Sequence, residues 1–185
     1  MKEQYGDISV KFCAEYVIEV EIRRAPNNFF DQKLISDLAD CFIDADNSTT
    51  VRAIVLCSDG KHFCAGNNFS SSTANADRET GTRNPLYVEA VRLFHSQTPV
   101  IAAIQGAAIG GGLGLAVMAD FRIVCPSTRL AANFVKLGFT PGFGLTHTLP
   151  RVIGKQKANL LFLTGRRIDG KTAHDWGLGD IFTEN

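Results

Sequence analysis

Two glycine-containing segments hold the residues of this chain best suited to chemistry. They are His62-Phe63-Cys64-Ala65-Gly66-Asn67-Asn68-Phe69 and Gly106-Ala107-Ala108-Ile109-Gly110-Gly111-Gly112-Leu113-Gly114. Each follows a short apolar run, Ala53 to Cys57 and Val100 to Ile104, that reads as a buried strand. Glycine lets a backbone approach a ligand closely. A helix that starts directly after such a loop points unpaired N–H groups, and the positive end of its dipole, at the same spot. That equipment stabilises an oxyanion. One such loop alone more often serves a tight turn or close helix packing; two loops after two strands favour a site.

Other motifs are excluded by spacing. Gly110 to Gly114 does not extend to GxGxxG, and neither GxxxxGK[ST] nor GxSxG occurs, so nucleotide cradles and the common hydrolase elbow drop out. Five cysteines, odd in number and without a CxxC pair, point to a reduced interior rather than a disulfide frame or a zinc site. Lys plus Arg and Asp plus Glu both count 19, so no net field draws the chain to nucleic acid or an anionic bilayer. The start, MKEQYGDISVKF, lacks the apolar core of a signal peptide, and the longest apolar stretch is broken by glycines and Gln105; the expectation is a cytoplasmic protein without a membrane partner.

The elements that must position the two loops follow from periodicity. Tyr16 to Ile22 alternates apolar and acidic residues as a strand does, and Arg23 to Asn28 reads as a turn. From Asp31, Leu34, Ile35, Leu38, Ala39 and Phe42 recur at helical spacing, with an end near Asp46-Asn47-Ser48. Ser70 to Asn84 is polar and reads as a mobile loop, followed by a helical pattern through Val88, Val91, Leu93 and Phe94. Strands alternating with helices predict a single α/β domain over residues 1–185, with a mostly parallel sheet.

His62 to Asn67 resembles the first oxyanion loop of the crotonase superfamily, the enoyl-CoA hydratase/isomerase family, and Ala107 to Asp120 resembles its second. The likeness continues through Lys136 to Gly144, Leu163-Thr164-Gly165-Arg166 and Ala173 to Leu178, in family order. The resemblance implies a spiral of ββα units and acyl-coenzyme A thioesters as substrates, with coenzyme A as part of the substrate and no prosthetic group or metal. It further implies the amides of Asn67 and Gly111 as the donors that polarise the thioester C=O and stabilise an enolate. Phe63, Ala65, Gly66 and Gly110 should line the site, and Arg24 should lie near the coenzyme A phosphates, although a solvated turn is the plainer reading there. Trimers or paired trimers are the implied assembly.

The same resemblance exposes departures. The two glutamates of the family's hydratases align with Gly114 and Phe134, and the aspartates of its dehalogenases and dienoyl isomerases align with Gly142. None of these can transfer a proton, so two-carboxylate hydration loses its acid and base. Gly114 and Phe134 should instead floor a pocket suited to a bulky or aromatic acyl group. Asp77 and Glu79 are candidate replacement acids, with a solvated loop as the plainer role. His62, His95, His147 and His174, the last three on predicted helices, are read as surface or packing residues, Cys64 as packing, and Asp120 with Arg122 as a structural ion pair. The chain also stops at Asn185, where family members continue with helices that complete trimer contacts. The expectation is an acyl-CoA-processing enzyme with a non-standard proton carrier catalysing isomerisation, hydration, hydrolysis or decarboxylation. The alternative is a crotonase-like module that binds acyl-CoA or a partner without turnover.

Overall fold

The computed structural model describes residues 1–67 and 85–184. Ten strands and six α-helices are assigned among them. They are β1 (Gln4–Tyr5), β2 (Ile8–Ala14), β3 (Val17–Ile22), α1 (Gln32–Asp46), β4 (Ala53–Ser58), α2 (Pro85–Leu93), β5 (Val100–Ile104), β6 (Ala107–Ile109), α3 (Gly111–Met118), β7 (Phe121–Val124), β8 (Arg129–Ala131), α4 (Leu145–Ile153), α5 (Lys155–Thr164), β9 (Arg167–Asp169), α6 (Gly170–Asp175) and β10 (Ile181–Phe182), with a 3₁₀ helix at Asn133–Leu137. The polar segment with Asp77 and Glu79 lies outside the described residues. Among the described residues, no helix is long and apolar enough to cross a membrane.

The main sheet runs β1-β2-β3-β4-β5-β7-β10. Its first two pairings are antiparallel and the other four parallel. The parallel strands are short apolar runs with alternate residues fully buried, as sheet strands covered by helices must be. A second sheet, β6-β8-β9, stands beside it and carries the glycine-rich segment.

Helix α1 forms where the apolar spacing predicts it, because Asp31 Oδ1 accepts the Leu34 N–H at 2.9 Å and fills one open donor of the first turn. Burial opposes ionisation of Asp31, but that bond and the Arg24 guanidinium outweigh it and hold the carboxyl below its usual range. Leu34, Ile35, Leu38, Ala39, Cys41, Phe42 and Ala45 form the buried stripe of the helix. At its far end Asp46 accepts from the Thr98 N–H at 2.8 Å and the Thr98 hydroxyl at 2.7 Å, which fixes the chain as it enters β5.

The ion pair expected between Asp120 and Arg122 is not the one formed. The Asp120 carboxylate accepts the Val100 N–H at 2.8 Å, while buried Arg122 pairs with Asp180 at 2.7 Å. The guanidinium also donates to the carbonyls of Leu178 and Ala119, at 2.8 and 2.7 Å. It thus ties the end of α3 to the approach to β10. The strand read from Tyr16 starts one residue later, because Tyr16 has φ 62° and belongs to the β2–β3 turn.

Replacing Arg122 with Met keeps the volume but leaves the Asp180 carboxylate with the backbone N–H of residue 122 and no counter-charge, and two carbonyls without their donor. The variant should lose about 3 kcal/mol of stability, read as a lower midpoint in urea denaturation.

Candidate functional site

The first loop leaves β4 and is held in place before it reaches the site. Asn28 is fully buried at φ 47°, and its amide donates to the carbonyls of Asp59 and His62 at 2.8 and 2.6 Å while its Oδ1 accepts the Arg24 N–H at 2.9 Å. The Ser58 hydroxyl donates to the same His62 carbonyl at 3.2 Å, and Gln105 reaches across to the Ser58 carbonyl at 2.6 Å. From there the loop runs alongside the second segment. The amides of Phe63 and Cys64 donate to the carbonyls of Gln105 and Ala107, and the Ile109 amide returns to the Cys64 carbonyl at 3.0 Å. On the other side, Ala65 donates to the Asn27 carbonyl and Phe30 to the Gly66 carbonyl.

The segment read as the second loop is a short strand followed at once by a helix. Ala107–Ile109 is β6, the Gly110 amide donates to the Ala131 carbonyl at 2.8 Å, and α3 begins at Gly111. Gly110 has φ 57° and ψ −119°, a combination open to glycine alone, and provides no side-chain cap. Two further glycines set how closely the loops approach. A Cβ on Gly112 would overlap the Cys64 carbonyl oxygen, and one on Gly66 would lie 2.8 Å from the Ile109 carbonyl oxygen. After this accounting, neither the Asn67 nor the Gly111 amide donates to a protein acceptor among the described residues. Gly111 is the first residue of a helix buried from Gly111 to Val117, so its N–H carries the positive end of the dipole in a dry setting.

Aromatic rings surround this point. Phe30 occupies the place of a Gly111 side chain, and the Phe143 Cβ lies 2.5 Å from where a Gly114 Cβ would be. The Phe143 ring centroid is 5.6 Å from that of Phe30 and 6.5 Å from that of Phe94. Phe134 comes from the 3₁₀ helix, with its ring 3.7 Å from the Cβ position of Gly110.

The family model for enoyl-CoA hydratase/isomerase matches residues 13–183. The chain belongs to that family. It is 34% identical over 171 residues to a probable enoyl-CoA hydratase of Bacillus subtilis (strain 168), covering 90% of this chain and 66% of that protein. It is 31% identical over 159 residues to the 1,2-epoxyphenylacetyl-CoA isomerase of Escherichia coli (strain K12), covering 82% of this chain and 60% of that one. The crystal structure of an enoyl-CoA hydratase from Bacillus anthracis superposes with a TM-score of 0.86 at 29% identity, over 96% of this chain and 70% of that one. The chain therefore spans about two thirds of the length of these relatives.

Placed in this crotonase fold, several of the sequence assignments change. Gly114 does not leave an open floor, since Phe143 fills the space, and the Phe134 ring packs by Gly110. Phe63 is fully buried in the core, so its side chain does not line the site. Arg24 pairs with Asp7 at 2.7 Å and Asp31 at 3.0 Å, and donates to the Phe29 carbonyl, so its charge is already met within the protein. His95 lies in the turn after α2 and not on a helix, while His147 and His174 are helical as expected. His62 has a role its sequence position did not announce: its Nδ1 accepts the Ala107 N–H at 3.2 Å, so the ring bridges the two loops. Glu19, Glu21 and Cys57 bring ligand atoms within 4.8 Å of one another, but Lys11 and Arg23 already neutralise the two carboxylates.

Cys64 sits at the centre of the loop pairing with no exposed surface, and burial pushes its thiol up to about 12. Burial does the same to Cys41, and burial with the nearby glutamates to Cys57. A thiol at that value is about 10⁻⁴ ionised at pH 8, and the thiolate is the nucleophile. Iodoacetamide at pH 8 should therefore label exposed Cys13 in the native protein and spare Cys64, Cys41 and Cys57 until denaturant is added, as read by peptide mass mapping.

Proposed function

We propose that this chain binds acyl-coenzyme A thioesters and polarises the thioester oxygen with the amides of Asn67 and Gly111. The observation that carries the reading is the hydrogen-bond accounting of the two loops. Backbone amides flanking the site are paired, from Phe63 to Ala65 on one side and at Ile109 and Gly110 on the other, while among the described residues those two donors meet no acceptor where the loops are locked together. Donors fixed in advance at a dry helix start can stabilise the charge of an enolate without reorganising as it forms. The backbone of Phe63 to Gly66 and that of Gly110 would then run along the ligand. Arg24 is left as a structural group of the turn, since a phosphate would have to displace Asp7 or Asp31.

The acyl end is proposed to take a bulky or aromatic group, lying against Phe134, Phe94 and the edge of the ring cluster. With Gly114 and Phe134 at the two positions where the family resemblance puts glutamates, ordinary two-carboxylate hydration is not the proposed reaction. A thioester enolate, reached by isomerisation, hydration, hydrolysis or decarboxylation, is the common intermediate the site suits. The second reading, a binding module without turnover, is favoured by Phe143, which fills the space over Gly114 with an apolar ring. Self-association into trimers is proposed as the assembly. It is supported by exposed Val135 and Leu137 on the 3₁₀ helix and Leu160 and Leu163 on α5, which packs against it.

Calorimetry with phenylacetyl-CoA and with free coenzyme A should show tighter binding of the thioester, and crotonyl-CoA should be hydrated at a negligible rate. Equal affinity for the two ligands contradicts the oxyanion site. Hydration within about tenfold of an ordinary hydratase contradicts the loss of the carboxylates.

A further inference from the structure

The proposed site has donors for the oxygen but lacks a carboxylate at Gly114 or Phe134 to move a proton. The structure offers a different protic group at the same corner. Helix α2 buries Leu86, Ala90 and Leu93 and packs against α1, while Tyr87, Val91 and Phe94 keep about half their surface or somewhat less, at 41%, 53% and 39% exposed. That second face lies along the segment Gly142-Phe143-Gly144. The Phe94 ring is 3.3 Å from where a Cβ on Gly144 would stand, and a Cβ on Gly142 would overlap the Tyr87 Oη. Phe143, between them, rests on Gly114, and Gly114 lies one turn along α3 from the Gly111 donor.

We infer that Tyr87 is the proton carrier of this site, its phenol seated at Gly142 in place of the carboxylates that Gly114 and Phe134 do not supply. The inference rests on the acyl-CoA reading above. Three features of the placement support it. The hydroxyl stands where Gly142 carries only hydrogen, so the glycine is what admits it. The ring is part of the aromatic wall and still reachable from solvent, so a ligand can meet it and water can restore its proton. Asn133, with its Oδ1 3.3 Å from the Cβ position of Gly110, presents an amide, which hydrogen-bonds but does not exchange a proton in this way.

The enolate carbon takes the phenolic proton, its electron pair forms the new C–H bond, and the O–H bond breaks to leave Tyr87 as phenolate. Water returns a proton to the phenolate. In reverse, the phenolate takes an α-proton from the thioester, and the electron pair moves onto the oxygen held by the Asn67 and Gly111 amides.

The test is α-proton exchange of phenylacetyl-CoA in D₂O, followed by mass spectrometry on the native protein, Tyr87→Phe and Gly142→Ala, with binding of the same thioester measured by calorimetry. Phenylacetyl-CoA suits the aromatic wall, and its α-protons are acidified by both the ring and the thioester. The expected result is exchange by the native protein, a loss of about 10²-fold in Tyr87→Phe with affinity held within about threefold, and a clear loss in Gly142→Ala, whose added methyl displaces the hydroxyl. Should Tyr87→Phe fold poorly, Gly142→Ala retains the phenol and makes the same comparison. Native exchange unchanged in both variants overturns the assignment, as does binding by the native protein without exchange. Absence of binding by the native protein overturns the acyl-CoA reading itself and this inference with it.

Discussion

Everything at the site depends on the backbone pairing of the first loop with β6. Cys64 exchanges hydrogen bonds with Ala107 and Ile109 as a neighbouring strand would, and the two segments come so close that only hydrogen fits at Gly66 and Gly112. A side chain at either position would push the loops apart and carry the Asn67 and Gly111 amides with them. Positioning errors of about 1 Å are enough to cost a catalytic site roughly 10²-fold, so this contact sets the tolerance for the whole arrangement. The network of Asn28, Ser58 and Gln105 and the His62 bridge act on the same contact from the other side, fixing where the first loop turns before it pairs.

The electrostatics follow from the same packing. Helix α3 is apolar and buried along its length, with glycine and not a polar side chain at its cap, so nothing within the helix neutralises its open N–H groups. Charge that develops beside them is stabilised more strongly than it would be in water. The aromatic cluster of Phe30, Phe143 and Phe94 packs beside that region, with Phe30 and Phe143 buried. The cost is that the corner which the family resemblance assigns to carboxylates is filled by rings. The chain thus keeps the paired loops and the glycine-started helix of the fold, and has an apolar surface where the resemblance places carboxylates.

Much of the scaffold could be read from the sequence because its signals are local. The stripe of α1 with its Asp31 cap and the apolar runs of β4 and β5 each specify their own conformation. The elements that escaped depend on distant partners. β6 is only Ala107-Ala108-Ile109, a stretch indistinguishable from loop until Cys64 and β8 pair with it, and β1 at the sheet edge and β2 next to it carry polar residues that blur the alternation. The start of α3 was legible, since glycines before a helix mark it. The side chains of the site were not. That Phe143 fills Gly114, that Asp180 and not Asp120 meets Arg122, and that Tyr87 meets Gly142 are all facts of tertiary packing between segments far apart in sequence.

A grip of two fixed amides on a thioester oxygen, as proposed, is read directly by vibrational spectroscopy. Isotope-edited infrared difference spectra of phenylacetyl-CoA labelled at the thioester carbonyl would compare the bound ligand with the ligand in water. Two donors converging on the oxygen should weaken the C=O bond and move its band to lower frequency on binding. A band at or above its frequency in water, with binding established, would show that Asn67 and Gly111 do not act on the carbonyl.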